Sequence, residues 1–484
     1  MFRKLRMYYR NLHEPVKASL WFLICGFLQK GISMLTTPIF TRIMTDAEYG
    51  RFSVYNSWLG IIQMIVSLNL AAGVYTRGLV KNEEDQDRFS SSMLGLSTTC
   101  ILVWSVIYGL FHNTINQWLG LNTVLMTAML VEIWAHEAYQ FWSNRERVNY
   151  RYKKLVALTL TYVILRPLLG VLCILQVDSQ HQVEARVLTT VLVNVVLFAS
   201  LYIAITKKGK QFFHKQYWLY ALKFNIPLLP HYLSQVVLNQ SDRLMINGIC
   251  GPTETAYYSV AYTLAMVLQI LNNSVSSTMN PWIYKSIKRN ETKRIGKVSY
   301  GVLGLIALMN LAVILAAPEL LGILAPDSYM AAVWVVPPVT VSVYFSFLYN
   351  LFATFEYYYE KTHYVTVATI AGAVLNIILN AVFIPKFGFV AAGYTTLVCY
   401  ILYALAHYYF MKKVTKEHMN GAAIYDAKVI FLLGTALLIG AAVIMLFYTK
   451  PIIRYGLLIV LAISAFWKRD VLIGMLRMLR SKHD

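Results

Sequence analysis

Charge is scarce in this chain. Asp, Glu, Lys and Arg together make up 14% of its 484 residues, against about 25% in a soluble domain. Acidic residues are the scarcer sign, 23 against 43 Lys and Arg. With 58% hydrophobic residues and a mean hydropathy of +0.53, the chain has more apolar surface than a water-soluble core takes up, which excludes a soluble globular protein. Cysteine is also sparse. Cys25, Cys100, Cys173, Cys250 and Cys399 are scattered without a CxxC or Cys/His spacing, so neither a disulfide framework nor a metal site is indicated. No phosphate-binding G-x-x-x-x-G-K-[ST] loop occurs, which excludes ATP as the direct energy source. The N-terminal apolar run is too long for a signal peptide and no small-residue cleavage site follows it, so it is expected to remain as the first helix.

What is present is apolar sequence in long blocks. The hydrophobic residues, 58% of 484, suffice for about 14 spans at about 20 residues each. Fourteen blocks are found, at 18–41, 52–74, 89–111, 121–142, 155–176, 187–205, 224–249, 256–281, 298–317, 331–354, 363–384, 389–411, 429–448 and 455–467. They are apolar all round rather than alternating, which predicts an all-α polytopic membrane protein and not a barrel. The formal charge of +20 does not point to nucleic acid, because it sits in alternate loops. If the N-terminus is inside, 34 of the 43 Lys and Arg fall in inside loops and tails and six in outside loops. That asymmetry predicts cytoplasmic termini.

An internal repeat organises the blocks. TRIMTDAEYGRFSVY (41–55) follows the first span, and DRLMINGICGPTETAYYSVAY (242–262) ends and follows the seventh. Arg42-Ile43-Met44 parallels Arg243-Leu244-Met245, and, after a short insertion, Phe52-Ser53-Val54 parallels Tyr258-Ser259-Val260. Six crossings separate the segments, so the repeats are parallel and related by a pseudo-two-fold axis along the membrane normal. The expected domains are a six-helix lobe over 1–206, a basic linker over 207–223, a second six-helix lobe over 224–418, and a two-helix extension with a tail over 419–484.

Three motifs resemble a known family. PIFTRIMTDAEYG (38–50), IPLLPHYLSQVVLNQSDRLMING (226–248) with NPWIYK (280–285), and LNIILNAVFIPKFGFVAAGYTTL (375–397) are similar, in this order, to the bacterial oligosaccharide flippases. These are the polysaccharide-exporter branch of the superfamily that includes the MATE multidrug exporters. The resemblance covers the first twelve spans and implies a non-enzymatic transporter of the inner membrane. Its expected cargo is undecaprenyl-pyrophosphate-linked oligosaccharide, such as an O-antigen or exopolysaccharide unit, turned from the inner to the outer leaflet. It implies lipid and other polysaccharide-assembly proteins as partners and no nucleic acid.

Ionisable residues inside spans mark pathways or buried pairs. Lys30 lies about 18 Å into the first span at about 1.5 Å per residue, too deep for easy snorkelling. Arg166, before Pro167, is similarly central. Arg243 corresponds to Arg42 in the repeat, and at the same offset Lys30 corresponds to His231. Lys30, Arg166, Arg243 and His231 are therefore the expected cationic substrate site, since guanidinium and ammonium groups donate charge-assisted hydrogen bonds to phosphate oxygens. Asp242 and Arg42 are the expected gate or ion pair; snorkelling to the outer surface is the alternative for Arg243. Glu132 and His136, four residues apart with Glu137 adjacent, suit proton coupling or a packing pair. Asn376 and Asn380 suit helix association. Prolines 38, 167, 227, 230, 337 and 338 are expected inside helices as bending points or static kinks. No metal site and no cofactor are expected beyond a coupling proton or sodium ion. The rival readings are a cation-coupled drug exporter, which favours cleft carboxylates, and a membrane-embedded polymerase or ligase, which needs a larger outside platform than these short loops offer.

Overall fold

A computed structural model describes residues 13–467. The basic residues of the two tails, at 3–10 and 468–482, and with them the tail of the expected last domain, lie outside the described residues. Among those described, the chain is helical throughout, with no strand. In chain order the helices are α1 (Glu14–Ile43), α2 (Asp46–Ser67), α3 (Gly73–Lys81), α4 (Gln86–Leu119), α5 (Thr123–Val148), α6 (Tyr152–Ile174), α7 (Gln182–Gly209), α8 (Lys215–Asn225), α9 (Leu229–Ile249) and α10 (Pro252–Lys288). They continue with α11 (Thr292–Leu315), α12 (Ala317–Leu324), α13 (Val336–Tyr358), α14 (Thr362–Phe387), α15 (Val390–His418), α16 (Ala427–Met445) and α17 (Pro451–Trp467). Setting aside the short α3, α8 and α12, each long helix overlaps one of the fourteen apolar blocks.

Local chemistry sets the helix ends. The Thr45 hydroxyl accepts from the Glu48 amide (3.2 Å) at the start of α2, and the Asn122 side chain accepts from the Leu125 amide (2.9 Å) at the start of α5. Both satisfy a first-turn N–H that has no partner inside the helix. Gly120, at φ 63, ends α4 in the left-handed conformation that glycine adopts at least cost.

Nine of the described helical segments are long and apolar enough to cross a membrane. Helices α2, α5, α9 and α10 are long enough but too polar by the same measure, and α17 is short. The polar exceptions carry Gln63, Glu132, His136, Asp242 and Tyr258, the residues around which the sites below are built. Burial differs as sharply. Of the most apolar stretch of α13, 89% of residues are buried, against 11% for α1.

Contacts divide the chain into two units, residues up to Gln240 and residues from Ser241 on. In the first, α5 and α6 both pack on α7, and α1 packs on α6. In the second, α15 packs on α13 and α14, and α10 packs on α13. The basic segment 207–223 carries most of α8, an amphipathic helix that lays Ala221, Trp218 and Phe224 against a core of Tyr75, Phe89 and Phe141 in the first unit.

Two expectations about prolines are corrected. Pro337 and Pro338 are not interior: 327–334 form a 3-10 turn and α13 begins at Val336. Both prolines thus sit in its first turn, where no intrahelical N–H bond is lost. Pro227 lies in the 3-10 turn Ile226–Leu228 and Pro230 in the first turn of α9. Pro38 and Pro167 are interior, as are Pro281 and Pro385.

Candidate functional site

A cavity of about 580 Å³ lies within the first unit. One face of each of five helices lines it, and the spacing shows why. Gln29, Ser33, Thr36 and Phe40 recur every three or four residues along α1, as do Asn56, Leu59 and Gln63 along α2, and Glu132, His136 and Gln140 along α5. Tyr162 and Arg166 face in from α6, and Arg186 and Thr190 from α7. Arg147, in the last turn of α5, also lines it. Among the described residues, three guanidinium groups and one carboxylate line this space.

The charges are held in place by neutral groups. Arg166 donates through Nε (2.7 Å) and through Nη2 to the Asn194 Oδ1 atom. Asn194 in turn donates to Glu132 Oε1 (3.4 Å), and the Tyr55 hydroxyl donates to Glu132 Oε2 (2.9 Å). The Arg166 guanidinium lies 4.5 Å from the centre of the Tyr162 ring, whose hydroxyl accepts from Gln29 Nε2 (2.5 Å). Arg186 is stacked between two rings, 3.5 Å from the centre of Phe40 and 3.6 Å from that of Phe52. Each such contact contributes about 0.5–2 kcal/mol, the more so where water is excluded. Among the described residues neither arginine has a carboxylate at ion-pair distance, and with three guanidinium groups against Glu132 the cavity carries an excess of positive charge.

Glu132 and His136 both face the cavity, but through different partners. His136 Nδ1 lies 3.4 Å from Gln63 Nε2, which also donates to Glu137 Oε1 (3.3 Å). Lys30 is not among the cavity-lining residues. It is one position, about 100° of turn, from Gln29, and its side chain is exposed on α1.

In the second unit Asp242 is buried and accepts three hydrogen bonds. Its donors are the Tyr258 hydroxyl (2.5 Å), Asn380 Nδ2 (2.7 Å) and the Thr396 hydroxyl (2.7 Å). Asn376 accepts from Ser241 (2.8 Å) and from Asn380 (3.2 Å). This cluster ties α9, α10, α14 and α15 together, and the two asparagines do act as interhelical links. Arg243 donates to the Ser259 hydroxyl (3.2 Å) and lies 4.6 Å from the centre of the Tyr262 ring. On its own helix, Arg42 Nη1 donates to the Pro38 carbonyl (3.0 Å). His231 is half-buried beside Tyr232 on α9. Of the expected residues, the structure brings together Arg166, Glu132 and His136 in the first unit, and Asp242 and Arg243 on neighbouring positions in the second.

Sequence reasoning missed Arg186, Asn194 and Tyr55. The apolar block that begins at 187 leaves Arg186 in an outside loop, whereas α7 begins at Gln182 and carries Arg186 into the cavity. Asn194 left a usable signal: it is the lone amide in the run VLTTVLVNVVLF (187–198).

The model of the family described as "Polysaccharide biosynthesis protein" matches residues 16–287, more than half of the chain. The chain belongs to this family. A model described as MatE matches residues 227–382. Among curated relatives, the Lsg locus protein 1 of Haemophilus influenzae is 22% identical over 57% of this chain and 67% of its own length. A protein of Haloferax volcanii named as a probable low-salt glycan biosynthesis flippase, Agl15, is 19% identical over 82% of this chain and 84% of its own. The solved structure of the lipid II flippase MurJ, in an inward closed conformation, superposes with a TM-score of 0.72 at 15% identity, covering 94% of this chain and all of that one. The family chain thus has the two-lobe, all-helical fold of such transporters, followed by two further helices.

Proposed function

We propose that this protein flips an undecaprenyl-pyrophosphate-linked oligosaccharide from the inner to the outer leaflet of the bacterial inner membrane for surface-polysaccharide assembly. Its two lobes alternate access to the two sides, and its basic loops and termini face the cytoplasm. The observation that carries the reading is the arginine cavity among apolar helices. Half-buried guanidinium groups fixed by Asn194, Phe40 and Phe52 suit a diphosphate, because their planar donors match phosphate oxygens and stay protonated. The family assignment and the flippase names of the Haloferax relative and the MurJ structure support the same class of cargo. Arg166 and Arg186 hold the diphosphate. A coupling proton or sodium ion engages Glu132 and His136.

The match of the MatE model to 227–382 favours drug export as the second reading. A cationic drug needs carboxylates, and this cavity has one against three arginines. Purified protein in proteoliposomes separates the two. Translocation of lipid-linked oligosaccharide with no movement of cationic dyes is expected, and the reverse outcome would replace the reading with drug export.

A further inference from the structure

A second cavity, of about 640 Å³, lies at the basic-loop end of the first unit, where α5 ends, α6 begins and α7 ends. Five cations line it: Arg145, Arg151, Lys153, Lys154 and Lys208. Two carboxylates also line it. Glu14 is already paired with Lys17 (3.1 Å), and Glu146 is buried in the wall. With Arg145 paired to Asp87 (2.6 Å), Arg151, Lys153, Lys154 and Lys208 face Glu146 alone, which leaves an excess of positive charge.

The backbone holds these like charges together against their repulsion. Tyr150 takes a left-handed conformation at φ 56, and the Arg151 amide donates to the Glu146 carbonyl (2.8 Å). This tight turn delivers Arg151, Lys153 and Lys154 to one rim. On the other side Gly209 packs so closely on the Asp87 carbonyl and Ser91 that a Cβ there would collide, which fixes the end of α7 and the position of Lys208. Arg145 is anchored to Asp87 (2.6 Å), yet its Nε atom is buried without a hydrogen-bond partner. A buried donor of that kind is costly unless something accepts from it. The remaining rim is aromatic, with Trp142, Tyr150 and Tyr152. Amphipathic rings beside Lys and Arg at the ends of apolar helices match the headgroup layer of a bilayer.

We propose that this cavity binds the phosphate of an anionic lipid headgroup, one with no ammonium of its own, in the leaflet on the basic-loop side. It is distinct from the arginine cavity: Trp142, Arg145 and Glu146 face it, whereas Gln140, Ser143 and Arg147 of the same helix face the other. The inference needs only a membrane around the helices and does not rest on the transport reading. A phosphate can come from an anionic phospholipid or from a polyprenyl phosphate, and the test separates these sources.

Full-length protein in detergent is incubated with phosphatidylglycerol, undecaprenyl phosphate or phosphatidylethanolamine, and bound lipid is counted by native mass spectrometry. The Lys153→Gln/Lys154→Gln variant changes two exposed side chains and leaves the fold intact. Lys285→Gln/Lys288→Gln, in the last turn of α10, removes equal charge elsewhere. Retention of an anionic phosphate lipid is expected to weaken roughly thirtyfold in the first variant, at about 1 kcal/mol for each basic residue, and to be unchanged in the second. Retention of phosphatidylglycerol names bulk phospholipid as the source, and retention of undecaprenyl phosphate alone names the carrier lipid. Equal retention by wild type and the first variant, equal loss in the second, or no preference over phosphatidylethanolamine overturns the proposal.

Discussion

The guanidinium carbon of Arg186 lies 3.6 Å from the centre of the Phe52 ring and 3.5 Å from that of Phe40, so this charge is clamped by two rings, with Nη1 donating to the Met44 sulfur (3.5 Å). A lysine there keeps the charge but loses the flat stacking face. Arg186→Lys should lower oligosaccharide translocation in proteoliposomes several-fold, and Arg186→Gln at least tenfold, with protein abundance near wild type. Full activity in Arg186→Gln would remove this residue from the site.

Arg166 and Lys30 should separate. Arg166 faces the cavity and is bonded to Asn194, whereas Lys30 is exposed on α1. Hydrogen bonds to charged groups contribute about 1.5–3 kcal/mol each, so Arg166→Ala should cut translocation about tenfold or more. Lys30→Ala should have the smaller effect. The opposite order would mean that the deep lysine, not the arginine, meets the cargo.

Much of the fold was legible in the sequence, because a run of about 20 apolar residues has few alternatives to a membrane helix. The sites were less so, and the reasons are physical. Hydropathy places Arg186 in a loop because a charge lowers the local average, although the rings of Phe40 and Phe52 hold it half-buried. Asp242 suggested a long-range ion pair, since sequence shows no way to foresee three neutral donors on α10, α14 and α15 converging on one carboxylate. Glu132 and His136 share a helical face at i, i+4, as the spacing implies, yet they bond to Tyr55, Asn194 and Gln63 and not to each other.

The three donors to Asp242 make a sharp test of the gate. Asp242→Leu leaves Tyr258, Asn380 and Thr396 without an acceptor, so a marked loss of folded protein is expected in thermal-shift measurements. Exchanging Asp242→Arg with Arg42→Asp should not restore translocation, because arginine cannot accept from those groups. Recovery in the exchanged protein would establish a direct pairing of the two positions.

Coupling can be tested at Glu132. If its carboxyl takes a proton during the cycle, collapsing the proton gradient with an ionophore should slow wild-type translocation. Glu132→Gln should be slow with or without the gradient. A Glu132→Gln protein that still responds to the ionophore places the coupling elsewhere.

The two-helix extension is attached by charge. Arg454 donates to both oxygens of Glu319 (2.7 Å each) and to the Leu315 carbonyl (2.9 Å). Arg454 holds the Glu319 carboxyl below the ordinary carboxylate value, chiefly by these hydrogen bonds. A depressed carboxylate stabilises the fold above its unfolded value, about 4.3, and that stabilisation fades as pH falls through the folded value. Protease cleavage near 446–451 should therefore be slow at pH 7 and 5 and rise only below about pH 4. Glu319→Gln should raise it at pH 7. Equal cleavage of the variant and wild type at pH 7 would show that apolar contacts alone hold the extension.

The acceptor at Asp242 also sets a timetable for synthesis. Its partners Asn380 and Thr396 lie 138 and 154 positions downstream, so when α9 leaves the ribosome those two donors do not yet exist. At about 5–20 residues per second the wait is on the order of ten seconds. During that interval a helix with a charged residue, too polar to partition alone into lipid, must be kept by the insertion machinery or by the helices already made. The hydrogen-bond set of Asp242 is thus complete only once α15 has been made, although its Tyr258 donor follows within 16 residues.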